Sequence, residues 1–205
     1  MLSHLELMKD AQPFFPYVMR RFARFWNLFK IKVFKMKNIV LIGMPAVGKS
    51  TIGVLLAKTM GFAFVDTDLI IQQETGRLLQ DIIDNDGLEA FCAAEERAIC
   101  SVSVGENAVI ATGGSAVYSR KAMEWLKKRG MVYYLSLPTD EIMRRLDNIR
   151  TRGIAMRPGD TIEDVFSRRA ALYEEFADMI VDCRNKSPED TVSEICGYHR
   201  LTSIR

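Results

Sequence analysis

Apolar positions along the chain follow two alternating rhythms. Short runs of strand length, rich in β-branched residues, occur at 39–42, 63–66, 108–112, 131–137 and 179–182. Between them apolar residues recur at helical spacing over 51–60, 69–86 with a break at Gly76, 88–102, 119–129, 139 to about 149, and 161–176. Thr139 is the expected N-cap of its helix, and Ser187-Pro188 opens a terminal helix with a capping serine followed by proline at the first helical position. Strand runs that are apolar throughout are buried on both faces, and alternation with helices implies a parallel sheet between two helical layers. The expected fold class is therefore α/β, a three-layer α/β/α arrangement with about five parallel strands.

Two segments break the rhythm. Residues 150–160, Arg150-Thr-Arg-Gly-Ile-Ala-Met-Arg-Pro-Gly-Asp160, are rich in Arg, Gly and Pro and are expected to form a mobile lid. Residues 1–36 carry Phe14, Phe15, Tyr17, Phe22, Phe25, Trp26, Phe29 and Phe34 interleaved with Arg20, Arg21, Arg24, Lys30, Lys32 and Lys35. This basic aromatic extension reads as a poorly ordered upstream segment, a packed terminal helix, or a surface for a membrane or partner. The domain proper is expected over 37–197, with 198–205 as a tail.

Composition narrows the class. The 205 residues are 48% hydrophobic, enough for one substantial core, and the net charge of +2 gives no general electrostatic case for nucleic acid. No apolar run reaches the length of a membrane span, so no integral membrane segment is expected. Cys92, Cys100, Cys183 and Cys196 show neither C-x-x-C pairing nor a zinc pattern, which points to free thiols and a cytoplasmic setting. A monomer is expected.

The chemistry enters at Gly43-Met-Pro-Ala46-Val47-Gly48-Lys49-Ser50-Thr51, directly after the first strand run. It fits the phosphate-binding pattern G-x-x-x-x-G-K-[ST], with the required strand before it and helix after it. Glycines let successive N–H groups turn toward one anion, Lys49 supplies a mobile charge, and the Ser50 hydroxyl can ligate Mg²⁺. The motif predicts a nucleoside triphosphate site.

Asp66-Thr67-Asp68 ends the second strand, at the edge where open α/β sheets bind ligands. One acid can serve Mg²⁺ and the other can take the proton of an alcohol; a helix cap beside a solvated acid is the bland reading of the same triplet. Thr112-Gly113-Gly114-Ser115 follows the third strand, and its glycines would let backbone approach a small ligand closely. Arg150, Arg152, Arg157, Arg168 and Arg169 supply candidate cations for transition-state charge. Neither His4 nor His199 adjoins a motif.

In their order and spacing, the 43–50 loop, Phe64-Val-Asp66-Thr-Asp68, Gly87-Leu-Glu-Ala-Phe91 with Glu95, Thr112-Gly113-Gly114, the Arg152 lid and Arg169-Ala-Ala-Leu-Tyr173 resemble the shikimate kinase family of P-loop kinases. The resemblance spans about 37–196. It implies that Lys49 contacts the transferred phosphoryl group, Ser50 and Asp66 serve Mg²⁺, Asp68 engages the acceptor hydroxyl, and Gly113 and Gly114 line the acceptor site. It further implies that Arg152 closes over the phosphates, Arg169 binds the acceptor carboxylate, and Arg145 with the 184–188 loop lies near adenine. Cys92 stands at a position of the acceptor site where the family pattern has an arginine that pairs with the acceptor carboxylate; the pattern also has a third glycine where this chain has Ser115, and Arg-Pro-Leu-Leu where its lid reads Arg152-Gly-Ile-Ala-Met-Arg157. The activity implied is Mg·ATP-dependent phosphorylation of shikimate, a step of aromatic amino acid biosynthesis. Two other readings stand beside it: a kinase for another small hydroxylated metabolite, and a nucleotide-binding regulatory module without turnover.

Overall fold

A computed structural model describes residues 37–147, 155–156 and 159–203 of the chain. The 1–36 extension and lid residues Arg150, Arg152 and Arg157 lie outside the described residues.

Five parallel strands form one sheet: β1 (Asn38–Ile42), β2 (Ala63–Asp66), β3 (Ala108–Ala111), β4 (Gly130–Ser136) and β5 (Met179–Asp182), in the order β2-β3-β1-β4-β5. The register pairs Val40 with Ile110 on one side and Val132 on the other, which puts β1 at the centre. Ile39 to Ile42 are fully buried, the condition under which an apolar side chain contributes about 1.5–3 kcal/mol. Parallel strands need crossovers, and helices supply them. Among the described residues these are α1 (Lys49–Met60), α2 (Thr67–Thr75), α3 (Leu79–Ser101), α4 (Arg120–Lys127), α5 (Thr139–Asp147), α6 (Ile162–Phe176) and α7 (Pro188–Ser203). Helix α1 packs on α7 and on β1, β2 and β3, while α4 packs on α3 and β4.

Local chemistry sets the boundaries. Helix α1 ends at Gly61 and α2 at Gly76, both left-handed. Helix α3 contains a kink at Gly87 (φ 88°, ψ 171°), where the two expected helical stretches meet. Thr161 and Asp164 form a reciprocal capping box at the start of α6, and Ser187 and Asp190 exchange the equivalent bonds at the start of α7. Thr139, expected as a cap, is the first residue of α5, and Ile142 N–H donates to the Pro138 carbonyl.

The strand order positions the site. From β1 the chain crosses toward β2, whereas from β3 it crosses to β4 on the far side of β1. The loops after β1 and β3 thus diverge at a topological switch point, where α/β sheets open a crevice at the carboxyl ends of their strands.

Candidate active site

The loop after β1 reaches α1 through two left-handed residues, Ala46 (φ 65°) and Gly48 (φ 106°). Gly48 is the N-cap of α1 and brings no side-chain cap, so the first N–H groups of that helix are available to an anion. Lys49 is buried, and its Nζ donates to the Gly43 carbonyl at 2.7 Å and the Met44 carbonyl at 2.9 Å. The lysine therefore curls back over the loop it follows. On the other side of the loop, Ala46, Val47, Gly48, Thr51 and Ile52 line a cavity with Arg145, Cys183, Lys186, Pro188 and Thr191. Arg145 Nη1 donates to the Val47 carbonyl at 3.3 Å and Nη2 lies 3.7 Å from Glu141. This brings together Arg145 and part of the 184–188 loop, while Arg184 points out and pairs with Asp182.

A second cavity is lined by Pro45, Lys49, Ser50, Asp68, Leu79, Phe91, Thr112, Gly113, Gly114, Ser115, Ala155 and Arg169. The phosphate loop, the end of β2, the end of β3 and helix α6 converge there. Asp66 is the N-cap of α2, one oxygen accepting Asp68 N–H at 3.0 Å, so the cap reading holds for that oxygen. The bond also fixes the turn that presents Asp68 to the cavity.

The wall after β3 is built by close approach. Gly113 N–H donates to Thr67 Oγ1 at 3.2 Å, and a Cβ on Gly113 would lie 2.1 Å from Glu95 Oε1 and 2.8 Å from Asp68 Oδ1. A side chain at this position would have to push those carboxyl groups aside. A Cβ on Gly114 would meet Pro45 Cδ at 2.7 Å and Arg169 Nη1 at 3.2 Å. The Gly114 carbonyl accepts from Tyr173 Oη at 2.6 Å, and burial pushes that phenol above its ordinary pKa, keeping it a donor.

Arg169 is fully buried. Its Nη2 donates to the Ala155 carbonyl at 2.6 Å and its Nε to Tyr118 Oη at 3.2 Å, while Nη1 has no partner among the described residues. Glu95, also buried, accepts from Ser115 Oγ at 2.5 Å through Oε2, and its Oε1 has no partner among the described residues. Burial pushes the Glu95 carboxyl up to about 7; the Ser115 bond opposes the rise and the charge of Asp68 adds to it.

Cys92 stands at the border of the acceptor cavity, beside Ser115 and within reach of the charges of Glu95 and Arg169. It lines a neighbouring cavity with Leu88, Glu89, Tyr118, Ala155, Asp160 and Arg168, where Arg168 is paired with Asp160. Burial, reinforced by Glu95, raises the Cys92 thiol pKa, so it stays neutral and gives no charge to either cavity. All four cysteines are free. His199 is buried far along α7, its Nδ1 3.0 Å from Tyr133 Oη and its Nε2 2.9 Å from the Lys37 carbonyl, a structural role consistent with its distance in sequence from every motif.

Several site groups carried no independent signal in the sequence. Glu95, Tyr173 and Ala155 stood only inside longer motifs, and Tyr118 stood in none. Their roles come from what surrounds Arg169. Mg²⁺ fits the oxygen donors Ser50 and Asp66, since that ion takes one or two protein oxygens and leaves the rest of its shell to water and phosphate. No cluster of three His, Cys, Asp or Glu that could hold a metal unaided occurs among the described residues.

A family model described as shikimate kinase matches residues 45–198. Shikimate kinase of Thermodesulfovibrio yellowstonii is 36% identical over 171 residues, covering 82% of this chain and 98% of the relative. Shikimate kinase of Geobacter metallireducens is 36% identical over 164 residues, 79% and 91% of the two chains. Among solved structures, shikimate kinase from Acinetobacter baumannii in complex with shikimate superposes with a TM-score of 0.77 at 28% identity, over 85% of this chain and 99% of that one. Shikimate kinase from Aquifex aeolicus does so with a TM-score of 0.67 at 32% identity, over 82% and 95%.

Proposed function

Because the chain belongs to the shikimate kinase family, we propose that it transfers the γ-phosphoryl group of ATP to a hydroxyl of shikimate in the cavity shared by Lys49, Asp68 and Arg169. The observation that carries this assignment is the state of Arg169. A fully buried guanidinium with Nη1 unpartnered among the described residues, in the same cavity as the phosphate-loop lysine, suits the carboxylate of a small hydroxy acid.

Phosphoryl transfer spreads negative charge over equatorial oxygens, so the protein's part is positioning and charge stabilisation. The uncapped start of α1 and the 43–48 backbone receive the phosphates, and Lys49 turns from the Gly43 and Met44 carbonyls to the transferred group. Ser50 and Asp66 would hold Mg²⁺, which would supply neutralisation of phosphate charge. Asp68 accepts the proton of the attacking hydroxyl. Arg169 and the Gly113–Gly114 backbone hold the acceptor by its far end, and Arg145 with Lys186 and Pro188 flanks the base. Arg152 is assigned to closing over the phosphates. All of these groups belong to one chain, which supports reading it as a monomer, and its free thiols suit a reducing cytoplasm.

The test is a coupled ADP-release assay with Mg·ATP and shikimate. Saturable turnover is expected, and Asp68→Asn should lower kcat by about 10²–10⁴-fold with the KM for ATP nearly unchanged. Loss of ATP binding in proportion to turnover would move Asp68 to the nucleotide side and contradict the assignment.

A further inference from the structure

Glu95 is a buried carboxyl group whose two oxygens face different surroundings. Oε2 is held by Ser115 Oγ at 2.5 Å; Oε1 lies against Gly113, where an added Cβ would be 2.1 Å away, and has no partner among the described residues. Gly113 and Ser115 both line the acceptor cavity. A buried acceptor oxygen left unsatisfied costs about 1–3 kcal/mol, and a ligand hydroxyl that reaches it recovers that cost.

We propose that Ser115 is a positioning residue of the acceptor site: its hydroxyl clamps one oxygen of Glu95 so that the other is presented, as a carboxylate oxygen, to a hydroxyl of the bound acceptor. The proposal rests on the assignment of this cavity to the acceptor. The groups that face Glu95 are Lys49 of α1, Asp68 of α2, Arg169 of α6, and Cys92 on its own helix. Lys49 and Arg169 favour the ionised form, while burial and Asp68 oppose it. The Ser115 bond is the contribution that falls outside the catalytic set. Removing it leaves Glu95 protonated over a wider range of pH, and a protonated Oε1 no longer accepts as a carboxylate oxygen does.

The experiment measures kcat and the KM for shikimate from pH 6 to 9 for the full chain and for Ser115→Ala, Ser115→Gly and Glu95→Gln. In the unsubstituted protein the KM for shikimate is expected to rise as pH falls below about 7, where Glu95 takes up its proton. Both Ser115 substitutions should raise that KM about tenfold at pH 7.5, with the gap narrowing toward pH 9 as Glu95 ionises, and with kcat and the KM for ATP within about twofold. Glu95→Gln should give a pH-independent shikimate KM, and adding Ser115→Ala to it should change little. Two Ser115 variants guard against one failing to fold, and Glu95→Gln reads the same contact without touching Ser115. A penalty equal at every pH, or a shikimate KM in the Ser115 variants like that of the parent, would overturn the proposal and leave the kinase assignment standing. Absence of shikimate turnover in the unsubstituted protein would overturn both.

Discussion

Arg169 is held by two neutral partners, the Ala155 carbonyl and the Tyr118 hydroxyl, which fix its fork and leave Nη1 toward the cavity. Lysine cannot reproduce that geometry, because a single ammonium reaching either partner gives up the planar fork. Arg169→Lys is therefore expected to raise the KM for shikimate by one to two decades, the equivalent of losing a charge-assisted hydrogen bond of about 1.5–3 kcal/mol, with the KM for ATP within about twofold. Steady-state kinetics with each substrate varied in turn check it. Gly113→Ala should harm the same side for a different reason. Its methyl group would collide with Glu95 Oε1, and that carboxyl is buried and tied to Ser115, so it cannot swing aside freely. A shikimate KM raised at least tenfold together with a lowered melting temperature is expected, from kinetics and thermal melting on the same preparation.

At the scale of elements, α6 matters most, because it carries both Arg169 and Tyr173 and starts at the edge of the lid. Its capping box ties Thr161 to Asp164, and Thr161→Ala should destabilise the protein by about 1 kcal/mol in denaturant titrations without moving the midpoint slope. The strands and helices were legible in the sequence because parallel strands buried on both faces are written as unbroken apolar runs, as at 39–42 and 131–137, and because Gly76 and Ser187 marked helix ends. The phosphate loop was legible because its backbone geometry demands particular residues at fixed spacing, which Gly48 and Lys49 satisfy. The acceptor wall was less so. Glu95 and Ser115 lie twenty residues apart on different elements, and nothing local to either announces a 2.5 Å bond. Cys92 is a mixed case: it lines a neighbouring cavity beside Arg168 and Asp160 that shares Ala155 with the acceptor cavity, while Ser115, Glu95 and Arg169 act on its thiol. A position on a helix fixes a direction only to within the packing of its neighbours.

Across the whole molecule, the site charges enter the stability of the fold. The Glu95 carboxyl titrates at about 7 in the folded chain against 4.5 for the free group, so the native state holds a proton that the unfolded chain has released. Its contribution is present in full below about pH 4.5 and is lost as pH rises to about 7, on the order of 3 kcal/mol in all. His199 acts in the opposite sense: burial lowers its pKa, so its contribution is present above the ordinary histidine range and is lost as pH falls through the folded value. Glu95→Gln should isolate the first effect. Its stability relative to the parent is expected to rise between pH 5 and pH 8 in parallel urea titrations; a difference independent of pH would show that Glu95 is ionised throughout. The fold, the phosphate loop and the acceptor cavity together make one claim, that Lys49 delivers the γ-phosphoryl group of ATP to a hydroxyl of shikimate. The measurement that tests it most directly is ³¹P NMR of the full chain with Mg·ATP and shikimate, run beside Lys49→Ala of the same melting temperature. The expected result is loss of the γ-phosphate signal matched by growth of a phosphate monoester, with neither change in the Lys49→Ala sample. Release of inorganic phosphate without the ester, or ester formation that persists without Lys49, would contradict it.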